Sequence, residues 1–201
     1  MSKTVTYYLA PQSPWTYLGH DRFVALALRH GATVDLRPID LGKVFPLSGG
    51  LPLAQRARQR QLYRLTELKR WSEFLRIPLN QQPKFFPVAG DPAAKLIVAA
   101  LEASGTGAAM KLAGAVLRAV WAEEADIADE ATLDGLARAC GMDGAALLER
   151  SRAPQVQERY DAFTREAIDA QVFGAPTYAL DGELFWGQDR LDFLDRALAR
   201  A

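Results

Sequence analysis

Ser13 follows an apolar run, Val5 to Leu9, and stands immediately before Pro14, so the spacing places a hydroxyl at the head of a helix. Proline suits the first helical turn because its missing N–H has no partner there, which makes Ser13 the predicted N-cap. A capping serine has a purely structural use, stabilising the helix by about 1 kcal/mol. Its hydroxyl also sits where the helix amides and dipole favour an anion, and there it can donate to a thiolate. A second chemical element lies near the other end, in VFGAPTYALDGELFWGQDRL. Gly174 and Pro176 bracket Ala175, and a residue before proline is pushed into extended geometry. The Ala175 N–H and C=O can then face a bound chain as a strand edge does. Beyond Gly187 a helix is predicted with Leu191, Leu194 and Leu198 on one face and Gln188 or Asp189 as its cap. The free N–H groups of that helix start would attract a carboxylate.

Other catalytic arrangements find little support. His20 and His30 fall on the first helix or its end, with no acids or cysteines at ligand spacing, so no metal site is expected. No histidine is positioned as a base for Ser13, which argues against an acyl-transfer triad. The single cysteine, Cys140, stands before Gly141 at a predicted helix end and reads as a core residue; neither an internal disulfide nor a CxxC pair is possible.

The elements that must position Ser13 and Ala175 read as follows. Val5 to Leu9 is a strand, and the helix from Pro14 carries Leu18, Phe23, Leu26 and Leu28. Thr33 to Pro38 is a second strand. Thr177–Leu180 and Glu183–Trp186 are strands joined by Asp181-Gly182, a strong two-residue hairpin signal. Between these ends the chain is helical. Leu53 to Leu75 carries Leu62, Leu65, Leu68, Trp71 and Leu75 at helical spacing, and NQQPKFFPVAGDP is punctuated by proline. Helices are predicted over Pro92–Ala103, Gly107–Trp121, Ala131–Ala139, Gly144–Arg150 and Val156–Ala170, with Asp129 or Glu130 and Asp143 as caps. The expected class is α/β, a thioredoxin-like fold with a large all-helical insertion. Residues 1–41 and 171–201 would form the thioredoxin-like domain, with a closing helix from about 156, and residues 42–170 the insertion.

Composition narrows the function classes. The 24 basic and 24 acidic residues cancel, leaving no electrostatic footprint for nucleic acid or an anionic membrane. At 201 residues and 49% hydrophobic content the chain can bury a sizeable core. No apolar run is read as a membrane span, and Met1 to Thr4 leads straight into strand-like sequence without a signal peptide, so a cytoplasmic location is expected.

SPWTYLG after the first strand, LKRWSEFLRIPL in the middle and VFGAPTYALDGELFWGQDRLDFL at the end resemble the 2-hydroxychromene-2-carboxylate isomerases and the kappa-class glutathione transferases. The resemblance spans nearly the whole chain and implies a homodimeric enzyme with glutathione as cofactor. It implies that Ser13 hydrogen-bonds the glutathione sulfur and that Ala175, ahead of a cis Pro176, pairs with the cysteinyl unit. Trp186, Gly187, Gln188 and Asp189 would line the γ-glutamyl end, with Asp189 meeting the ammonium. Trp186 as a core aromatic and Asp189 as a plain cap are the structural alternatives. For a small aromatic or enone carboxylate substrate, it implies contacts from Lys43, from Gly49 and Gly50 in the loop after Ser48, and from Phe86 or Phe85, with Arg60 pairing either a substrate carboxylate or the glycyl carboxylate of glutathione. A lone loop lysine is otherwise a solvated charge. The chain departs from the family pattern at Ala10, where relatives carry an acid, at Pro11-Gln12, and at Gly50, where they carry asparagine. The implied reaction is reversible thiolate addition to a conjugated enone with cis-trans isomerisation, in aromatic compound degradation. The alternatives are a kappa-like transferase or peroxidase, and a non-catalytic glutathione- or peptide-binding protein.

Overall fold

TVTYYL, whose residues Tyr7, Tyr8 and Leu9 are all buried, forms β1 (Thr4–Leu9) in the interior of a four-stranded sheet. The order is β2-β1-β3-β4, where β2 is Thr33–Pro38, β3 Thr177–Leu180 and β4 Glu183–Trp186. β2 runs parallel to β1, from Thr4 opposite Thr33 to Leu9 opposite Pro38, and β3 and β4 are antiparallel. The crossover from β1 to β2 is α1 (Pro14–Arg29), and the Asp181-Gly182 turn closes the β3–β4 hairpin. The structure is a computed structural model describing Lys3 to Arg200; Met1 and Ser2, at the leaderless start read from the sequence, lie outside the described residues.

Seven further helices follow: α2 (Leu41–Ser48), α3 (Arg58–Leu75), α4 (Asp91–Trp121), α5 (Glu130–Ala139), α6 (Gly144–Ser151), α7 (Pro154–Asp169) and α8 (Leu191–Ala199). Asp129 and Asp143 cap α5 and α6, each accepting from a backbone N–H three residues on. α4 is the spine. Ala93, Ala94, Leu96 to Ala100 and most of Ala109 to Trp121 are buried, and one continuous core joins them to Val5, Tyr7, Leu9, Phe23 and Tyr178 of the sheet side. Tyr7, Phe23 and Tyr178 pack as an aromatic cluster beneath α1, with ring centroids 4.6 to 5.2 Å apart.

The structure corrects two expectations. DLGKVF is not a loop: Asp40 accepts from the Gly42 N–H at 2.7 Å and caps α2, which tolerates Pro46 in its interior. The helix expected from Leu53 starts at Arg58, behind a 3₁₀ turn over Leu53–Gln55. The two helices expected over 92–121 are borne out: they abut within α4, whose backbone leaves helical geometry at Gly105 (φ 80°, ψ 176°) between them. At 31 residues α4 is long and apolar enough to cross a membrane, yet half of its most apolar window is buried in the protein, as befits a core helix.

Candidate functional site

Ser13 is where the Ser-Pro spacing puts it. Its backbone is extended (φ −83°, ψ 123°), and its Oγ accepts from the Thr16 N–H at 3.2 Å, closing the first turn of α1. The same hydroxyl donates to the Ala175 carbonyl at 3.2 Å, which ties α1 to a residue 162 positions away. Ser13 is only 7% exposed, so this contact lies in a dry corner at the helix N-terminus. The Ala175–Pro176 peptide is cis. Among the described residues the Ala175 N–H has no acceptor, which leaves an edge amide beside the hydroxyl.

The segment after Pro176 is held by backbone. The Gly187 N–H donates to the Pro176 carbonyl at 2.9 Å, and Thr177 Oγ1 donates to the Gly174 carbonyl at 2.7 Å. Gly174 has no room for a side chain, because a Cβ there would lie 2.5 Å from the Trp186 indole nitrogen. Trp186 is 51% exposed and packs against Phe173, with ring centroids 4.7 Å apart and planes tilted by 58°, so it is a surface aromatic at the loop rather than a core residue. Gly187 adopts φ 103°, which favours glycine, and a Cβ there would run into the Asp189 carboxylate.

A 3₁₀ turn, Gln188–Arg190, then precedes α8, which begins only at Leu191 with no side-chain cap. The expected capping role of Gln188 or Asp189 is therefore not what these side chains perform. Gln188 is 1% exposed, and Arg22 of α1 donates to both its backbone carbonyl (3.1 Å) and its Oε1 (2.6 Å). Asp189 is exposed, with its carboxylate 3.3 Å from Arg190.

A cleft of about 510 Å³ opens between this segment and α3. Ala175, Trp186, Gly187, Gln188 and Asp189 line one wall, and Arg60, with Trp15, Arg56, Tyr63, Arg64 and Trp71, the other. Phe86 does not line it but supports it: the ring lies 4.8 Å from Trp121, and the Arg64 guanidinium sits 5.2 and 5.6 Å over the two rings. Burial and the charge of Arg56 push Arg64 down to about 10, and burial with the charge of Arg60 lowers Arg56. Trp15, Arg22, Arg56 and Arg64 were not singled out in the sequence. The four-residue step from Arg60 to Arg64 was the available signal.

Lys43, Gly49 and Gly50 lie outside the cleft. Lys43 is on α2, not in a loop, and its Nζ pairs with Asp161 of α7 at 2.6 Å. Gly49 ends α2 in left-handed geometry (φ 72°), and Gly50 packs on the Phe45 ring. Ala10 is fully buried. Gln12, next to Ser13, lies against Gly90, and its Oε1 is buried without a partner.

A larger cleft of about 710 Å³ lies between α1, α4 and α5 and includes His20 and Cys140, but it contains neither Ser13 nor Ala175. His20 Nε2 must donate to the Met110 carbonyl at 3.0 Å, which leaves Nδ1 to accept from the Tyr7 hydroxyl at 3.2 Å. Burial pushes its pKa down, and both ring nitrogens are engaged away from Ser13. Burial raises the Cys140 thiol, which lowers its thiolate fraction and so its reactivity.

Residues 4–199 match the family described as a DSBA-like thioredoxin domain. The chain is 33% identical over 199 residues to a 2-hydroxychromene-2-carboxylate isomerase of Sphingobium xenophagum, covering 98% of this chain and 99% of that one. It is 24% identical over 203 residues to glutathione S-transferase kappa 1 of Caenorhabditis elegans, covering 94% and 88%. The solved structure of a selenomethionine 2-hydroxychromene-2-carboxylate isomerase superposes with a TM-score of 0.84 at 30% identity, covering 98% of this chain and 95% of that one. These matches run through the strands that frame Ser13 and through every helix between them. The chain thus belongs to the DSBA-like thioredoxin family and, within it, to the 2-hydroxychromene-2-carboxylate isomerases, a family of enzymes.

Proposed function

We propose that this enzyme is a glutathione-dependent isomerase that adds the cofactor thiolate to a conjugated enone, lets the former double bond rotate as a single bond, and eliminates the thiolate unchanged. The observation that carries the reading is the Ser13 hydroxyl, 3.2 Å from the Ala175 carbonyl at the N-terminus of α1. On sulfur binding, the hydroxyl turns from a neutral carbonyl to an anion, and a hydrogen bond to a charged acceptor is roughly twice as strong. The Ala175 carbonyl and N–H are then free to pair with the cysteinyl backbone as a strand edge does. Lowering a thiol pKa by two units needs about 3 kcal/mol of preferential thiolate stabilisation. One charge-assisted hydrogen bond and a helix N-terminus supply that order of magnitude.

In this reading Trp186 and the turn after Gly187 hold the γ-glutamyl end, Asp189 pairs with its ammonium, and Arg60 takes the glycyl carboxylate. The organic molecule enters over the sulfur. The name of the kappa transferase relative supports glutathione as the cofactor, and the names of the isomerase relatives support isomerisation as the outcome. The two outcomes separate in one experiment. Ultraviolet absorption of glutathione bound at neutral pH should show thiolate, and isomerisation of a 2-hydroxychromene-2-carboxylate should proceed with no net loss of glutathione. Loss of one glutathione per product would make the enzyme a transferase, and a bound but protonated thiol would remove the assigned role of Ser13.

A further inference from the structure

Arg56, Arg60 and Arg64 face the cleft together, and among the described residues none has a carboxylate at ion-pair distance. Glu67, also in the wall, is taken by Arg70 at 2.7 Å, and Asp189 by Arg190. Arg56 donates to the Leu51 carbonyl at 2.8 Å and lies 5.9 Å over the Phe45 ring, neither of them an anion. Like charges at four-residue spacing destabilise a helix, and a partly buried guanidinium gains from an anion that water would otherwise screen. Glutathione carries two carboxylates. With its glutamyl carboxylate at the Gln188–Arg190 turn, only the glycyl carboxylate remains for three arginines.

We propose that Arg64, with Arg56 beside it, is a subsite for an acid group on the organic acceptor, separate from the Arg60 position that takes glutathione. The inference rests on the function proposed above. Arg64 is suited to the task because its guanidinium lies on the Phe86 and Trp121 rings. Packing against the two rings restricts the guanidinium, whose edge N–H groups can meet a planar carboxylate bidentately, a geometry lysine cannot copy. An acceptor without the acid would leave that charge uncompensated in the wall.

The test uses trans-cinnamate and trans-cinnamamide, which differ only in the acid, titrated against the full chain by tryptophan fluorescence with and without saturating glutathione. Wild type should prefer cinnamate by about tenfold or more, the worth of one charge-assisted hydrogen bond. Arg64→Gln should bring that preference to within about twofold while glutathione affinity stays the same within about twofold; Arg60→Gln should weaken glutathione and keep the preference. Arg64→Lys, which keeps the charge and lacks the fork, should lose at least about half of the preference and covers the case in which Arg64→Gln does not fold. No preference in wild type, an unchanged preference in the Arg64 variants, or a loss of glutathione rather than cinnamate overturns the subsite. Wild type that binds cinnamate selectively but not glutathione overturns the proposed function and leaves the subsite standing.

Discussion

The wall that carries Ala175 and Gly187 is held by backbone hydrogen bonds, such as Gly187 N–H to the Pro176 carbonyl and Arg22 to the Gln188 carbonyl. The opposite wall, α3, has one fully buried residue, Leu68, and presents its chemistry on long arginine side chains. A backbone wall cannot adapt without unfolding, whereas arginine side chains can reorient and can be exchanged without disturbing the fold. The cysteinyl and γ-glutamyl parts of the constant partner therefore suit the first wall and the variable partner suits the second, as proposed above, with Arg60 the one α3 arginine assigned to glutathione.

The largest effect expected is at the hinge of this comparison. Ser13→Ala should lower turnover by about 10² or more, the loss typical of removing one donor to a developing or stabilised anion. Its effect on melting should be modest, because the lost cap is worth about 1 kcal/mol. A rate assay beside a thermal melt reads both, and near-normal turnover would take the thiolate away from α1.

Asp189→Asn comes next and stays on the backbone wall. Asp189 makes no capping hydrogen bond, so the change should leave the melting temperature in place. If the carboxylate meets the glutamyl ammonium, calorimetric titration should show glutathione weakened by roughly 1.5 to 3 kcal/mol, about tenfold to a hundredfold. Unchanged affinity would reduce Asp189 to a surface partner of Arg190.

The two walls were unequally legible. Pro14 after Ser13, Asp181-Gly182 between alternating runs and Gly-Ala-Pro are local signals, and the strands, the α1 cap and the hairpin follow from them. The α3 side depends on docking. Leu62, read as part of an apolar stripe, is 54% exposed, and the stack of Arg64 on Phe86 and Trp121 joins segments up to 57 residues apart, from Arg64 to Trp121. The Gln188 anchor was invisible for the same reason, since Arg22 reaches it across 166 positions. α2 was missed although its Asp40 cap was in view, because Gly42 and Pro46 both weaken the helical pattern.

That long-range anchor gives the third prediction. Arg22→Ala strips the partner from a fully buried Gln188 Oε1, which costs about 1 to 3 kcal/mol. Denaturant unfolding should show that loss, and glutathione affinity should fall with it because the turn that meets the glutamyl carboxylate is no longer held. Lost stability with intact affinity would mean that the backbone wall keeps its shape without α1.

The smallest effect belongs to Lys43, the expected substrate residue that the fold puts on α2, away from both walls. Its partner Asp161 is held below the usual carboxylate range chiefly by the hydrogen bond from Lys43. A depressed carboxyl pKa stabilises the fold above the unfolded value and loses that contribution as pH falls through the folded one. The pair is largely exposed, with Lys43 55% and Asp161 28% accessible, so solvent screening limits it to about 0.2 to 1 kcal/mol. Lys43→Ala should therefore lower stability slightly at pH 7, lose that difference in acid below the ordinary Asp range, and leave glutathione and cinnamate binding unchanged. Denaturant curves at the two pH values and the same titrations check it. A clear loss of cinnamate affinity in this variant would extend the acceptor site beyond α3 to α2.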